Sequence, residues 1–228
     1  MNITTKTLTR GAGVAAAAAG LIFLGVQVNH PPLDANTITT LELAVRNTLK
    51  LLMAVFALIG ITGMYLSQVR RNGIVGLVGF LGLAAGYLLI LCSSFLAAFV
   101  LPAIAPELPG FVNAVLITAD GGQPASDIGI LQTMIQIQGL AYLVGGTVFG
   151  IALFRAGVLW RWASALLAIG GLVSFGLSLL PDAFHRLLAV PNGVALVALG
   201  FSLWRSTRAI ASSTPIPADE HPSTAGAR

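Results

Sequence analysis

Long apolar runs separated by short polar turns fill almost the whole chain. A helix needs roughly 20 apolar residues to cross the hydrocarbon core of a bilayer. Six stretches meet that length, at 11–28, 49–68, 74–98, 131–154, 163–180 and 184–204. Lys6 and Arg10 ahead of an alanine-rich run give the first stretch the look of a signal peptide. However, Gln27-Val28-Asn29-His30 offers no small-x-small cleavage site, so an uncleaved first span is expected. The third run is expected to stop ahead of Pro102. The sixth carries Pro191, which lacks a backbone donor and is expected to kink the outer end of that span. Between the third and fourth spans, residues 102–130 hold Pro102, Pro106 and Pro109, the apolar run 111–117 and Asp120-Gly121-Gly122. The middle of this loop is expected to form a half-buried interfacial helix, with Ser126 or Asp127 as N-cap of the fourth span. Residues 206–228 are polar, proline-containing and aperiodic, and read as a disordered tail after a bundle of 1–205.

Composition turns this pattern into a fold class. Of the 228 residues, 56% are apolar and 9% charged, against roughly 25% charged in soluble domains; the mean hydropathy is +0.90. So few charges cannot cover a water-exposed surface. The expectation is an all-α, polytopic transmembrane bundle whose chief partner is the lipid bilayer.

Charge then sets the orientation. With these six spans, Lys6, Arg10, Arg70, Arg71, Arg155, Arg161, Arg205, Arg208 and Arg228 fall on one side, and only Arg46, Lys50 and Arg186 on the other. The positive-inside rule places the rich side, and with it both termini, in the cytoplasm. Asp34, Glu42, Glu107, Asp120, Asp127 and Asp182 fall outside, while Asp219 and Glu220 fall inside. Trp160, Trp162 and Trp204 mark the inner boundaries, where amphipathic rings sit at headgroup level. The net charge of +4 is spread along the chain and forms no basic run, so nucleic acid is not an expected partner. Cys92 is the sole cysteine, which excludes an intramolecular disulfide and a thiolate metal cluster.

Small residues are expected to hold such a bundle together, because apolar burial does not drive helices together inside lipid. Gly76, Gly79, Gly82 and Gly86 line one face of the third span. Gly139, Gly146 and Gly150 occupy the fourth, and Gly170, Gly171, Ser174 and Ser178 the fifth. Gly82-x-x-x-Gly86 and Gly146-x-x-x-Gly150 suit packing within the bundle, or a homo- or hetero-oligomeric contact. Val69-Arg70-Arg71 and Leu159-Trp160-Arg161 each lead into a glycine-rich span, a weak internal echo that would relate spans two and three to four and five.

The candidate chemistry gathers on the outer side. Glu42, Arg46 and Lys50 are spaced by four and share a helical stripe. The stripe reads as an amphipathic lead-in with Arg46 and Lys50 snorkelling to the headgroups, or as the charged wall of an outward-facing cavity. His30 precedes Asp34 by four, and Asp182 precedes His185 by three; Asp182 after Pro181 also suits an N-cap. Gln132 and Gln136 share a face of the fourth span, where their amides need partners. The candidate ligand-binding set is therefore His30, Glu42, Arg46, Lys50, Gln136, Asp182 and His185. No ligand spacing points to a metal. No G-x-x-x-x-G-K-[ST], H-E-x-x-H, C-x-x-C or G-x-S-x-G motif points to a cofactor or a catalytic residue.

Residues 150–171, with their Leu-Phe-Arg-Ala-Gly turn and Arg-Trp pair, resemble a cytoplasmic turn found in a broad family of uncharacterised bacterial multi-spanning membrane proteins. The ending Val197-Ala-Leu-Gly-Phe-Ser-Leu-Trp204 is similar to the last span of those proteins. Trp160 stands where they carry a proline. The resemblance implies a multi-pass protein of the bacterial inner membrane and adds no chemistry. Three functions follow as expectations: binding or passing a small or lipophilic ligand from the outer face; an intramembrane enzyme built on His185 with Asp182 or Glu42; and a structural subunit of a membrane complex.

Overall fold

A computed structural model describes residues 4–177 and 189–209. Among the described residues every regular element is helical. In chain order these are α1 (Thr5–Gly25), a 3₁₀ turn (Thr37–Thr39), α2 (Leu41–Ser67), α3 (Val69–Phe95), a π turn (Leu96–Val100), α4 (Leu101–Ile104), α5 (Pro109–Ala119), α6 (Ile130–Ala156), α7 (Arg161–Leu177) and α8 (Ala189–Ala209). The segments Thr5–Gly25, Leu41–Ser67, Val69–Ile104 and Ile130–Ala156 are long and apolar enough to cross a membrane. The protein is an all-helical membrane bundle. α7 and α8 correspond to the fifth and sixth expected spans, and both border the undescribed residues 178–188.

The long helices form a closed ring in the order α1, α2, α3, α6, α7, α8 and back to α1. Glycine sets the close contacts. A Cβ added at Gly79 would meet the backbone of Phe149, and one at Gly86 the backbone of Tyr142, so the glycine face of α3 lies directly on α6. Gly13 and Gly20 of α1 lie on Gly200 and Gly193 of α8. The two expected GxxxG pairs are thus partly used inside the bundle, by Gly82 against Gly145 and Gly150 against Ala168. Large apolar side chains point the other way; Ile74 and Leu41 are each 80% exposed. Small residues inside and large apolar residues outside suit a helix bundle whose solvent is lipid.

The contacts also set the direction of each helix. Gly20 meets Gly193 and Gly13 meets Gly200, so α1 and α8 run antiparallel, and Thr5 and Ala209 lie at one end. We call this the terminal end. It also carries the α2–α3 and α6–α7 turns. The opposite end, the cap end, carries α5 and a second apolar core. There Ile38, Leu43, Leu101, Ala105, Val112 and Leu116 are buried together. The Asn113 side-chain oxygen accepts the Ala35 N–H at 2.7 Å and ties α5 to the α1–α2 connection. The expected loop helix is therefore present, packed on this core. Asp127 accepts the Gly129 N–H at 2.7 Å, but Gly129 itself stands at the N-cap position of α6 without a side-chain cap.

Two boundaries differ from expectation. Pro102 does not end the third span. Leu101 donates to the Leu96 carbonyl in the i−5 pattern of a π turn, and helix continues to Ile104. In that register Pro102 leaves the Ala97 carbonyl without a donor, and the buried Asn47 amide of α2 supplies one at 3.3 Å. The last helix runs through Ser206 to Ala209, beyond the expected start of the tail. The rest of the tail, 210–228, and the outer part of the sixth span lie outside the described residues, which puts the kink expected at Pro191 on their border.

Candidate functional site

The cap end gathers the polar residues of α1 and α2. α1 ends at Gly25, and Asn29 adopts a left-handed conformation with φ 51° as the chain turns away. Helix ends leave carbonyls without donors. Arg46 meets them: its Nη1 donates to the Val26 and Val28 carbonyls, both at 3.0 Å, and its Nη2 to Asn29 at 3.2 Å. The same guanidinium grips Glu42 Oε1 through Nη2 at 2.8 Å and Nε at 3.0 Å. A cation at a helix C-terminus also opposes the helix dipole. Arg46 does not snorkel outward as its position suggested. It turns back onto α1, and its side chain is only 16% exposed.

Lys50, one turn deeper, also turns inward. Its ammonium lies 3.3 Å from His30 Nε2. His30 Nδ1 lies 2.8 Å from the Pro31 carbonyl, which can only accept. Nδ1 therefore carries the proton, and Nε2 offers its lone pair to the lysine. Lys50 borders a cavity of about 130 Å³ lined also by Phe23, Val26, Gln27, Met53, Tyr87, Ile90 and Tyr142. α1, α2, α3 and α6 all contribute. Tyr87 and Tyr142 meet edge to face with ring centroids 5.4 Å apart. The walls are largely apolar, and the polar groups among them are an ammonium, two phenols and an amide. On the other side of Val26 lies an open, apolar groove between α1 and α2, with Glu42 and Arg46 at its lip and Leu41, Val45 and Leu49 along its wall.

Of the expected set, His30, Glu42, Arg46 and Lys50 come together, in two linked pairs. Gln136 is exposed on α6 and is not among the residues lining the cavity; Tyr142, nearly two turns further along, is the α6 residue that is. Asp182 and His185 lie outside the described residues. Asp34 serves structure: its Oδ1 accepts the N–H groups of Asn36 and Thr37, each at 2.8 Å, and starts the 3₁₀ turn. The Thr37 N–H, and next the Asn36 N–H, hold its carboxyl below the usual 3.8. Among the described residues no group of three His, Cys, Asp or Glu side chains is close enough to hold a metal.

Sequence reasoning passed over Gln27, Tyr87 and Tyr142. The signal was faint: a single amide at the end of an apolar run, and two tyrosines deep in spans where a phenol must find a partner. It also passed over Gln68 and Asn72 at the terminal end, which are spaced by four and buried.

No family model, no curated protein and no solved structure matches this chain.

Proposed function

We propose that the protein binds, and passes toward the bundle interior, a small or lipophilic ligand that arrives from the outer face of a bacterial inner membrane. The observation that carries this reading is the cap-end cavity. It has apolar walls and one ammonium, and at about 130 Å³ it has room for roughly four waters at ~30 Å³ each. Such a site suits a ligand of a few heavy atoms, or the polar end of a longer amphiphile, that offers a hydrogen-bond acceptor to Lys50 and the phenols. The orientation follows from charge. Arg10, Arg70, Arg71, Arg155, Arg161 and Arg205 all belong to the terminal end, so that end faces the cytoplasm and the cavity faces outward.

The test is ligand-dependent stabilisation in mild detergent, read by thermal shift and native mass spectrometry across a panel of lipids and metabolites. A binder with an acceptor head is expected to raise the melting temperature. Met53→Trp fills the cavity and should remove that shift. Lys50→Gln should weaken binding by about ten- to a hundredfold, since a hydrogen bond to a charged group contributes about 1.5–3 kcal/mol. Absence of any adduct or shift across the panel would overturn the reading.

A further inference from the structure

The terminal end holds a buried polar pair that the cap-end site does not use. Gln68 and Asn72 are 4% and 5% exposed. All of their side-chain polar atoms, Oε1 and Nε2 of Gln68 and Oδ1 and Nδ2 of Asn72, are buried without a protein partner. The two are linked through one helical turn, in which the Gln68 carbonyl accepts the Arg71 and Asn72 N–H groups at 2.9 and 3.0 Å. The chain then leaves helical geometry at Gly73, with φ 56° and ψ −160°. The Asn72 side chain consequently folds over Gly76, beside Ala152 of α6.

Each buried amide group left unsatisfied costs about 1–3 kcal/mol, and a leucine pair of similar size would avoid that cost. Buried polar groups in folded proteins are nearly all satisfied, and exceptions mark a bound water, an ion or a functional group. An amide side chain offers both donors and an acceptor, so two of them together suit a neutral molecule that does the same, and have no charge with which to hold an ion. Arg70 and Arg71, both exposed, place the turn at the water boundary.

We propose that Gln68 and Asn72 form a polar port at the terminal end, which takes water or a small neutral solute that both donates and accepts hydrogen bonds. As the far opening of a path beginning at the cap-end cavity, the port rests on the function proposed above; as a site open to the aqueous side, it stands alone. Gly73 is the joint beside it: the only non-helical residue within α3 directly follows Asn72.

The experiment is thiol accessibility in the full chain, reconstituted into sealed vesicles of known orientation, with Cys92→Ser as background. Asn72→Cys and, separately, Gln68→Cys are exposed to a membrane-impermeant thiosulfonate from each side. Labelling from the terminal end at a rate within about tenfold of Arg71→Cys is expected, as for a site that opens locally. Reaction no faster than at Ala57→Cys, a fully buried apolar control in the middle of α2, would mean that only global opening exposes the pair, with rates slower by ~10³-fold or more, and would overturn the port. Slowing by millimolar formamide or glycerol identifies a solute site, and labelling unaffected by either identifies water; both support the port. Gln27→Cys, probed from the opposite side, reports the cap-end cavity. Its silence would remove the continuous path while leaving the port, so the two failures are distinguishable.

Discussion

At the cap end, Arg46 makes five hydrogen bonds, to Glu42 and to the three carbonyls at the close of α1. At the terminal end, Gln68 and Asn72 bury two complete amides that bond to nothing in the protein. Both places are helix ends, where backbone groups lack partners and side chains are the usual remedy. The difference teaches that burial of polarity alone does not mark a site. A saturated group such as Arg46 locks two helices, whereas an unsaturated pair such as Gln68 and Asn72 is open to a further partner. Lys50 stands between these cases, held by His30 yet bordering a cavity.

The contrast can be broken by substitution. Arg46→Ala leaves three carbonyls at the close of α1 without their donor and is expected to destabilise by about 2 kcal/mol, mainly through those charge-assisted hydrogen bonds, because Glu42 is 55% exposed and its ion pair contributes little. Unfolding in graded denaturing detergent measures it, and Arg46→Lys should restore little, because an ammonium cannot reach both groups as a fork does. The opposite sign is expected at the other end. Gln68→Leu combined with Asn72→Leu should leave stability unchanged or raise it by about 1–2 kcal/mol, since no bond is lost and a desolvation cost disappears. A loss as large as that of Arg46→Ala would show that the amides are satisfied after all, and the contrast would fall. The smallest effect concerns Asp34. The Thr37 and Asn36 N–H groups hold its folded value below 3.8, so its contribution is complete above that value and is lost as pH falls through the lower folded one. Amide exchange over 36–40, corrected for intrinsic rates, should therefore rise below about pH 4, and Asp34→Asn should flatten that dependence.

Much of the bundle could be read from periodicity, because lipid-facing and helix-facing residues differ in size as well as polarity. The expected start of the third span at Ile74 matches the break at Gly73 that precedes its continuous helix. Its expected end fails at Pro102, because a proline stops a helix only where nothing replaces the donor it lacks. A π turn on α3 and an amide on α2 together accommodate it, and their meeting depends on how two distant segments cross. The same limit applies to the site. The Glu42–Arg46 spacing foretold the ion pair. Nothing local foretold that Arg46 would reach α1, or that Lys50 would find His30, since both depend on the α1–α2 crossing. Gln136 misled because a shared helical face does not say whether that face looks inward.

Two contacts in the ring place glycine against glycine: Gly13 with Gly200 and Gly20 with Gly193 between α1 and α8, and Gly82 with Gly145 between α3 and α6. A seam made of backbone has no rotamers to exchange, so neither pair can slide or splay without losing contact along its length. Each pair is thus a stiff stave. Any breathing of the barrel must be taken up by the two helices set between the staves, α2 and α7. One of these carries Lys50, and it ends at Gln68.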